Sequence, residues 1–300
     1  MIELVQHLIN GLSMGSIYAL IALGYTLVFG ILQLINFAHG DIYMVGAFAG
    51  FYAIRFFGFA EHPSWLALGV TLLFAMLGSG CLGWCIERLA YRPLRRSPRI
   101  NALITAVGVS LLLEFSGQLI FGADPKFFPQ ILIFDGGWSF GELKLNPLQI
   151  LIFLISIALM LALDWLIFRT RMGRAMRATS FNPECAALMG IPTDQVISLT
   201  FVLGSALAGA AGVLVGLAYP KIDPLMGVLP GLKAFVAAVL GGIGNVRGAV
   251  AGAMILGLSE EFLVGYGAPT FRDALAFGLL IIILLFKPTG LFGIKRAEKV

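Results

Sequence analysis

The chain has 300 residues, of which 59% are hydrophobic and 12% are charged, and its formal net charge is +4. An average soluble domain carries about 25% charged residues, and the mean hydropathy of this chain is +0.95. These values exclude an ordinary soluble protein. They predict an all-α, polytopic membrane protein in which residues 1–300 form a single transmembrane domain.

A helix that crosses a bilayer needs about 20 mainly apolar residues. We predict about eight to ten membrane helices, with boundaries that carry an error of a few residues. The segment 228–242 is short for a full span and begins with Pro230 and Gly231, so we expect interrupted helices in this fold. The predicted spans are 8–34, 42–59, 64–86, 101–121, 148–168, 196–218, 228–242, 248–265 and 270–286.

Basic residues cluster in connections on one side of the predicted bundle. Cytoplasmic loops carry the excess of lysine and arginine, so alternating spans predict an N-terminus outside the cell and a C-terminus in the cytoplasm. Such clusters also occur in nucleic-acid-binding proteins, but here they adjoin membrane spans, and we expect no nucleic-acid partner. The clustered residues are Arg88, Arg92, Arg95, Arg96, Arg99, Arg169, Arg171, Arg174, Arg177, Arg247, Lys287, Lys295, Arg296 and Lys299.

The first break in the apolar pattern is the stretch INFAHGD at residues 35–41. Ionisable groups between two membrane spans are costly and usually functional, so Asn36, His39, Gly40 and Asp41 are candidates that line the transport pathway or its gate. The alternative is a turn in which these residues only cap the adjoining helices. The predicted topology places the break at or near the cytoplasmic ends of the first two spans, close to an inner gate.

Glu114 is a second acidic residue inside a predicted span. It lies one turn after Ser110 and one turn before Gln118, so the three form a polar stripe on one helix face. Glu114 is therefore a further pathway candidate, and an interhelical hydrogen bond is the structural alternative. The two glutamates at 260–261 lie near the outer end of their helix within reach of Arg272, which favours either a structural ion pair or charges at the level of the lipid headgroups.

The connection over residues 169–195 predicts a short helix at 183–189. A capping asparagine followed by proline and glutamate starts it, and a glycine able to adopt a left-handed conformation ends it. A helix this short is marginal in water, so it needs a partner surface, either another protein or the membrane and the bundle itself. The residues expected to form the contact are Asn182, Pro183, Glu184, Ala186, Leu188, Met189 and Gly190.

Glycines are unusually frequent, with 37 in the chain, and several are spaced four residues apart. In lipid, small residues at this spacing let helix backbones approach closely. The pattern predicts a compact bundle. The pairs are Gly11 and Gly15, Gly46 and Gly50, Gly212 and Gly216, and Gly248 and Gly252.

The sequence shows no motif of a common catalytic site. It lacks a Walker-type phosphate loop and the GxGxxG, HExxH and GxSxG patterns. The three histidines, His7, His39 and His62, have no metal-ligand spacing, and the three cysteines form no disulfide framework. We therefore predict no catalytic residue, no metal and no cofactor.

Three stretches together resemble a known family. ECAALMG (184–190) resembles the EAA-x3-G loop of ABC importer permeases, which docks into a cleft of the ATPase subunit. The stretches at 11–48, 182–191 and 233–253 look like the branched-chain amino-acid ABC permeases of the LivH type, in the same order and with similar spacing over essentially the whole chain.

This resemblance implies an ABC importer permease fold and a non-catalytic subunit of a bacterial inner-membrane importer, with a periplasmic N-terminus. A homologous second permease of the LivM type is expected to complete the pore, two ABC ATPase subunits to hydrolyse ATP, and a periplasmic binding protein to deliver leucine, isoleucine or valine. Related permeases carry other neutral amino acids, urea or short amides, and a homodimeric pore is equally compatible with one sequence.

Two other classes of transporter remain as alternatives. An ion-coupled secondary carrier needs coupling-ion ligands inside its spans, and only Asp41 and Glu114 are suitable here. A channel has no need of a docking helix at 183–189. Transport that depends on a partner ATPase separates the importer from both.

Overall fold

The computed structural model describes residues 2–95, 97–132, 138–140 and 143–293, which are mostly α-helical. This part of the chain contains eleven α-helices: α1 (Ile2–Leu32), α2 (His39–Phe56), α3 (Trp65–Ile86), α4 (Arg99–Phe121), α5 (Pro147–Arg169), α6 (Arg171–Phe181), α7 (Pro183–Leu188), α8 (Thr193–Ala218), α9 (Val228–Gly241), α10 (Val246–Gly265) and α11 (Arg272–Phe286). Two antiparallel ribbons lie in the connections: β1 (Lys126–Phe127) pairs with β4 (Lys221–Ile222), and β2 (Trp138–Phe140) pairs with β3 (Leu143–Leu145).

Every predicted span coincides with one of these helices. Seven helices in the described part are long and apolar enough to cross a membrane, namely α1, α3, α4, α5, α8, α10 and α11. Helix α2 has 18 residues and is more polar, because it contains His39, Asp41 and Arg55. Helix α9 has 14 residues, about 21 Å, and is the interrupted helix expected at 228–242. The predicted polytopic helical membrane fold is therefore confirmed.

Helices α1 and α8 form the centre of the bundle. In their most apolar stretches, 83% of the α1 residues and 72% of the α8 residues are buried inside the chain. Helix α1 packs along α10, and α8 packs against α2 and α3. In the most apolar stretches of α4 and α11, only 11% and 6% of the residues are buried. These two helices therefore form the periphery, where lipid or another subunit can cover them.

The close packing of the central helices depends on glycine. A Cβ atom at Gly46 of α2 would collide with the backbone of Gly209 in α8. Gly15 of α1 and Gly257 of α10 make the same kind of contact between their helices. Because lipid provides no hydrophobic force between helices, such backbone contact is a main source of packing energy. The predicted role of the glycine stripes in compact packing is confirmed at these positions.

A buried network of charges joins four helices. Glu260 of α10 accepts hydrogen bonds from the Tyr18 hydroxyl (3.1 Å) and from Arg272 Nε (2.8 Å). Lys233 Nζ of α9 lies 3.0 Å from the other carboxylate oxygen of Glu260 and 2.7 Å from Asp273. Glu260 has no exposed surface and Lys233 is 5% exposed, so the charges compensate one another where water cannot.

The prediction of a pair between residues 260–261 and Arg272 holds for Glu260 and not for Glu261. Glu261 Oε1 instead accepts a hydrogen bond from Asn10 Nδ2 (3.0 Å) and lies 3.7 Å from His7 Nδ1. Both of these partners belong to α1. The contact therefore attaches the C-terminal end of α10 to the N-terminal part of α1.

Candidate transport pathway and coupling surface

The connection between α1 and α2 begins with a sharp reversal. Helix α1 ends at Leu32, and Gln33 is the only non-glycine residue with a positive φ (54°) in the described part of the chain. Left-handed backbone is uncommon for a residue with a side chain, and here the Gln33 N–H closes the last turn on the Phe29 carbonyl at 2.8 Å. The chain then turns back towards the bundle before α2 starts at His39.

The break extends inward along α1. The His39 ring packs beside Gly24 and meets the Tyr25 ring at 4.8 Å between centroids. Gly24 lies eight residues before the end of α1 at Leu32, about 12 Å along the helix. Irregular backbone at such depth is tolerated only where protein buries it or a cavity adjoins it. Residues 33–38 therefore return inward alongside the last turns of α1, and the position of the break near the cytoplasmic ends of the two spans stays a prediction.

Two polar side chains of the break are buried with unused hydrogen-bonding capacity. Asn36 is 2% exposed, and its Oδ1 accepts a hydrogen bond from the Tyr91 hydroxyl at 3.0 Å. The Asn36 Nδ2 and the His39 Nε2 have no hydrogen-bond partner among the described atoms. Buried polar groups are nearly always paired, so these two nitrogens have hydrogen-bonding capacity left for a further group.

The N-terminus of α2 meets the N-terminus of α9. A Cβ atom at Gly40 would collide with the Gly227 carbonyl and press on Gly231. Neither helix has a side-chain cap at its N-terminus. The two interruptions predicted from the sequence therefore adjoin each other, and their aligned peptide dipoles favour negative charge nearby.

Asp41 and Glu114, predicted separately, lie close together. Asp41 is 2% exposed, and its Oδ2 accepts a hydrogen bond from Ser110 Oγ at 2.5 Å. Glu114 is half-buried one turn further along α4 and is near enough to interact electrostatically with Asp41. The other buried acids of the described part, Glu87 and Glu260, have basic partners. Neither Asp41 nor Glu114 forms a salt bridge with a described residue, and acidic residues inside membrane spans are functional candidates by default.

The short helix α7 has the predicted start and stop. The Asn182 side chain accepts hydrogen bonds from the N–H groups of Glu184 and Cys185, both at 3.0 Å. Helix α7 follows with Pro183 first. Gly190 has a φ of 82°, and its N–H binds the Ala187 carbonyl at 3.0 Å. The helix ends at Leu188, one residue before the predicted end.

One face of α7 is exposed and apolar. Leu188 is 87% exposed and Met189 is 83% exposed. Phe181, at the end of α6, is 87% exposed as well and was not among the predicted contact residues. Ala186 was predicted to be part of the surface, but it is 5% exposed because it packs on the chain itself.

Helix α6 (Arg171–Phe181) was not predicted. Thr170 caps it by accepting a hydrogen bond from the Gly173 N–H at 3.0 Å. Its buried residues Gly173, Met176 and Thr179 recur every three positions, which is a helical signal. Arginines lie between these positions, so the segment was interpreted as a basic connection and the helical spacing of the buried residues was missed.

A second site that the sequence did not indicate lies where α8 begins. Arg92 and Arg95 bind the two carboxylate oxygens of Asp194 at 2.5 and 2.6 Å. Arg95 also pairs with Glu87, which is fully buried and accepts a hydrogen bond from Ser198 Oγ at 2.6 Å. These contacts connect the end of α3 to the start of α8, immediately after α7. The sequence did not predict these contacts, because Asp194 is a single acidic residue and the chain has many arginines.

A family model described as the permease component of the branched-chain amino acid transport system matches residues 7–284. The chain belongs to this family. The permease is 43% identical over 301 residues to the high-affinity branched-chain amino acid transport system permease protein LivH of Salmonella typhimurium, covering 98% of this chain and 97% of that protein. It is 44% identical to BraD of Pseudomonas aeruginosa, with the same coverage.

The permease is also similar to a protein of a second type. It is 24% identical over 303 residues to the permease protein LivM of Escherichia coli, covering 94% of this chain and 69% of that protein. The resemblance inferred from the sequence is therefore confirmed. The permease is a multi-pass membrane component of a transport system.

Proposed function

We propose that the permease is the membrane-spanning subunit of an ATP-driven, binding-protein-dependent importer of branched-chain amino acids. The observation that carries this proposal is α7, which has its own cap at Asn182 and its own stop at Gly190 and exposes Leu188 and Met189. Exposed apolar side chains gathered at one tip are typical of a surface that binds another protein. Similarity to high-affinity branched-chain amino acid permeases supports the substrate.

The importer requires further subunits. Two ABC ATPase subunits dock on the cytoplasmic loops of the importer, with the α7 surface as the contact on this chain, and they hydrolyse ATP, since the permease sequence has no phosphate-binding loop. A second permease of the LivM type completes the pore, and the similarity of this chain to LivM supports such a pair. A periplasmic binding protein delivers the amino acid. In the bacterial inner membrane, the distribution of lysine and arginine supports a periplasmic N-terminus and a cytoplasmic C-terminus.

A series of contacts leads from the docking helix to the break. Asp194 follows α7 closely in the chain and binds Arg92 and Arg95. These arginines adjoin Tyr91, whose hydroxyl holds Asn36. We infer that movement of α7, driven by the ATPase, reaches the α1–α2 break through these contacts.

The residues around the break suit a zwitterionic substrate. The helix N-termini that meet at Gly40 favour a carboxylate, and the negative charge of Asp41 and Glu114 favours an ammonium group. His39 lies beside them in the lining of the break. Tight binding in the membrane is unnecessary, because the binding protein supplies the affinity. Another neutral amino acid, urea or a short amide fits the same features, and ligand binding by the cognate periplasmic protein distinguishes these substrates.

The docking proposal is tested with Leu188→Asp. We expect this variant to lose co-purification with the ATPase subunits while its thermal stability stays unchanged, because Leu188 is 87% exposed. Phe127→Asp is the matched control, since Phe127 is 76% exposed on β1, outside α7. Normal ATPase association of Leu188→Asp would show that α7 is not the docking helix.

The energy source is tested by uptake into vesicles. The purified permease alone should take up no branched-chain amino acid under an ion gradient. The complex with both permeases, the ATPases and the binding protein should do so when ATP is present. Uptake by the isolated permease driven by ions alone would establish a secondary carrier instead.

A further inference from the structure

A cavity of about 740 Å³ opens between the end of α3 and the first turns of α8. Arg92 and Asp194, which belong to the proposed coupling route, lie in its lining, but that route does not use the open space between them. Its lining contains aromatic, basic and polar side chains. Its aromatic, charged and polar lining residues are Trp84, Arg88, Arg92, Thr193, Asp194, Gln195 and Ser198.

The cavity carries an excess of positive charge. Asp194 is its one acidic residue, and two arginines, Arg92 and Arg95, already neutralise it. Glu87, nearby, is paired with Arg95. Arg88 is exposed and forms no salt bridge with any residue that the structure describes. One guanidinium in the cavity is therefore available to an anion from outside the chain.

The N-terminus of α8 adds to the positive charge at the cavity. Helix α8 has 26 residues, and no side chain caps its N-terminus at Pro192. The first N–H groups of a helix carry partial positive charge and bind anions when uncapped. Thr193 and Asp194, the first residues of α8, line the cavity, so the helix end and Arg88 act on the same space.

The outer surface of α3 indicates what kind of molecule carries the anion. Leu73 and Leu77 are 58% and 65% exposed, and Trp84 follows on the same surface at 45% exposure. Arg88 lies one turn further. Apolar residues followed by tryptophan and arginine are the usual sequence of a helix that passes from the hydrocarbon core to the headgroup layer. The cavity thus adjoins the headgroup level of a lipid-covered helix.

We propose that this cavity binds the headgroup of an anionic phospholipid whose acyl chains lie along α3. Arg88 and the N-terminus of α8 contact the phosphate, and Trp84 packs beside the glycerol region. Basic pockets between membrane helices are known binding sites for such headgroups. The lining does not include residues of the α1–α2 break, and it begins at Ile191, directly after the stop of α7 at Gly190.

The test is native mass spectrometry of the full-length permease in mild detergent with added phosphatidylglycerol or phosphatidylcholine. We expect phosphatidylglycerol to be retained preferentially. Arg88→Gln should reduce its retention about fivefold, the effect of one basic residue near a lipid surface. Arg174→Gln is the matched control, since Arg174 is exposed on α6 and does not line the cavity; it should leave retention unchanged.

Four outcomes overturn the proposal. Equal retention of both lipids means that the cavity does not select an anion. An unchanged Arg88→Gln variant means that the anion binds elsewhere. Displacement of phosphatidylglycerol by millimolar inorganic phosphate means that the site takes a soluble anion. A photo-crosslinker at Trp84 that captures a partner subunit in the assembled complex, with no lipid retained, also overturns it.

Discussion

Asp41 and Glu114 are acidic residues of the helical bundle for which the described residues provide no opposite charge. Glu87 and Glu260 are buried as well, but arginine and lysine compensate them. Burying a carboxylate without a positive partner costs free energy. A purely structural role would not offset that cost. The difference between these two kinds of acid supports transport as the role of Asp41 and Glu114.

Asp41→Asn should lower ATP-driven uptake about tenfold and leave the protein folded. Asparagine keeps the shape and can still bind Ser110, so only the charge is removed. Asp164→Asn is the control, because Asp164 forms an exposed pair with Arg247 (3.1 Å) that contributes little to stability. Uptake and ATPase activity in reconstituted vesicles check this prediction. Equal uptake by the two variants would exclude Asp41 from the pathway.

Gly46→Ala should destabilise the permease by about 1–3 kcal/mol, the usual effect of overpacking. The added methyl group has no room against the Gly209 backbone. Gly108→Ala is the matched control, since Gly108 also lies within a helix and has nothing within 4 Å of the position of a new Cβ atom. Thermal unfolding in detergent measures both variants. A Gly46→Ala variant as stable as Gly108→Ala would contradict the contact.

At the scale of elements, the sequence predicted the features that are encoded by residues close together in the chain. The cap at Asn182, the stop at Gly190 and the polar break at 35–41 are all encoded by neighbouring residues, and the structure contains each of them. The proximity of Asp41 to Glu114 and the depth of His39 depend on how separate helices pack. The residue pattern within one helix does not predict contacts between separate helices.

Gly190→Val should uncouple ATPase activity from transport. A β-branched residue at a φ of 82° costs about 1–2 kcal/mol, so the end of α7 should unwind and its docking geometry should change. Gly122→Val is a matched control, because Gly122 has a φ of 87° and equally open surroundings but lies after α4. We expect ATP-driven uptake to fall about tenfold only in Gly190→Val, with basal ATP hydrolysis retained. Unchanged uptake would mean that the end of α7 does not transmit the movement.

At the scale of the whole molecule, the bundle has a fixed centre and an exposed periphery. Helices α1 and α8 are largely buried, whereas α4 and α11 present most of their surface outward. The network around Glu260 joins α1, α9, α10 and α11, so it attaches the peripheral α11 and the short α9 to the centre. Helix α9 has only 14 residues, so we expect its position in the bundle to depend on this network.

Glu260→Gln should therefore destabilise the entire bundle by about 3–5 kcal/mol, the cost of breaking a buried ion pair, because Lys233 then keeps only Asp273, whose side chain is 53% exposed. The affected charge is Lys233, which is 5% exposed and 3.0 Å from Glu260. Glu261→Gln is the control, because Glu261 lies outside the network and its side chain is 17% exposed. Denaturant unfolding in detergent micelles measures the difference.

A second variant separates charge from shape. Adding Lys233→Met to Glu260→Gln removes both buried charges, so neither side chain is left as a buried charge without its partner. We therefore expect the double variant to recover much of the stability that Glu260→Gln loses. If the double variant is less stable than Glu260→Gln alone, Lys233 is held mainly by Asp273 at 2.7 Å, and Glu260 acts through Tyr18 and Arg272 instead.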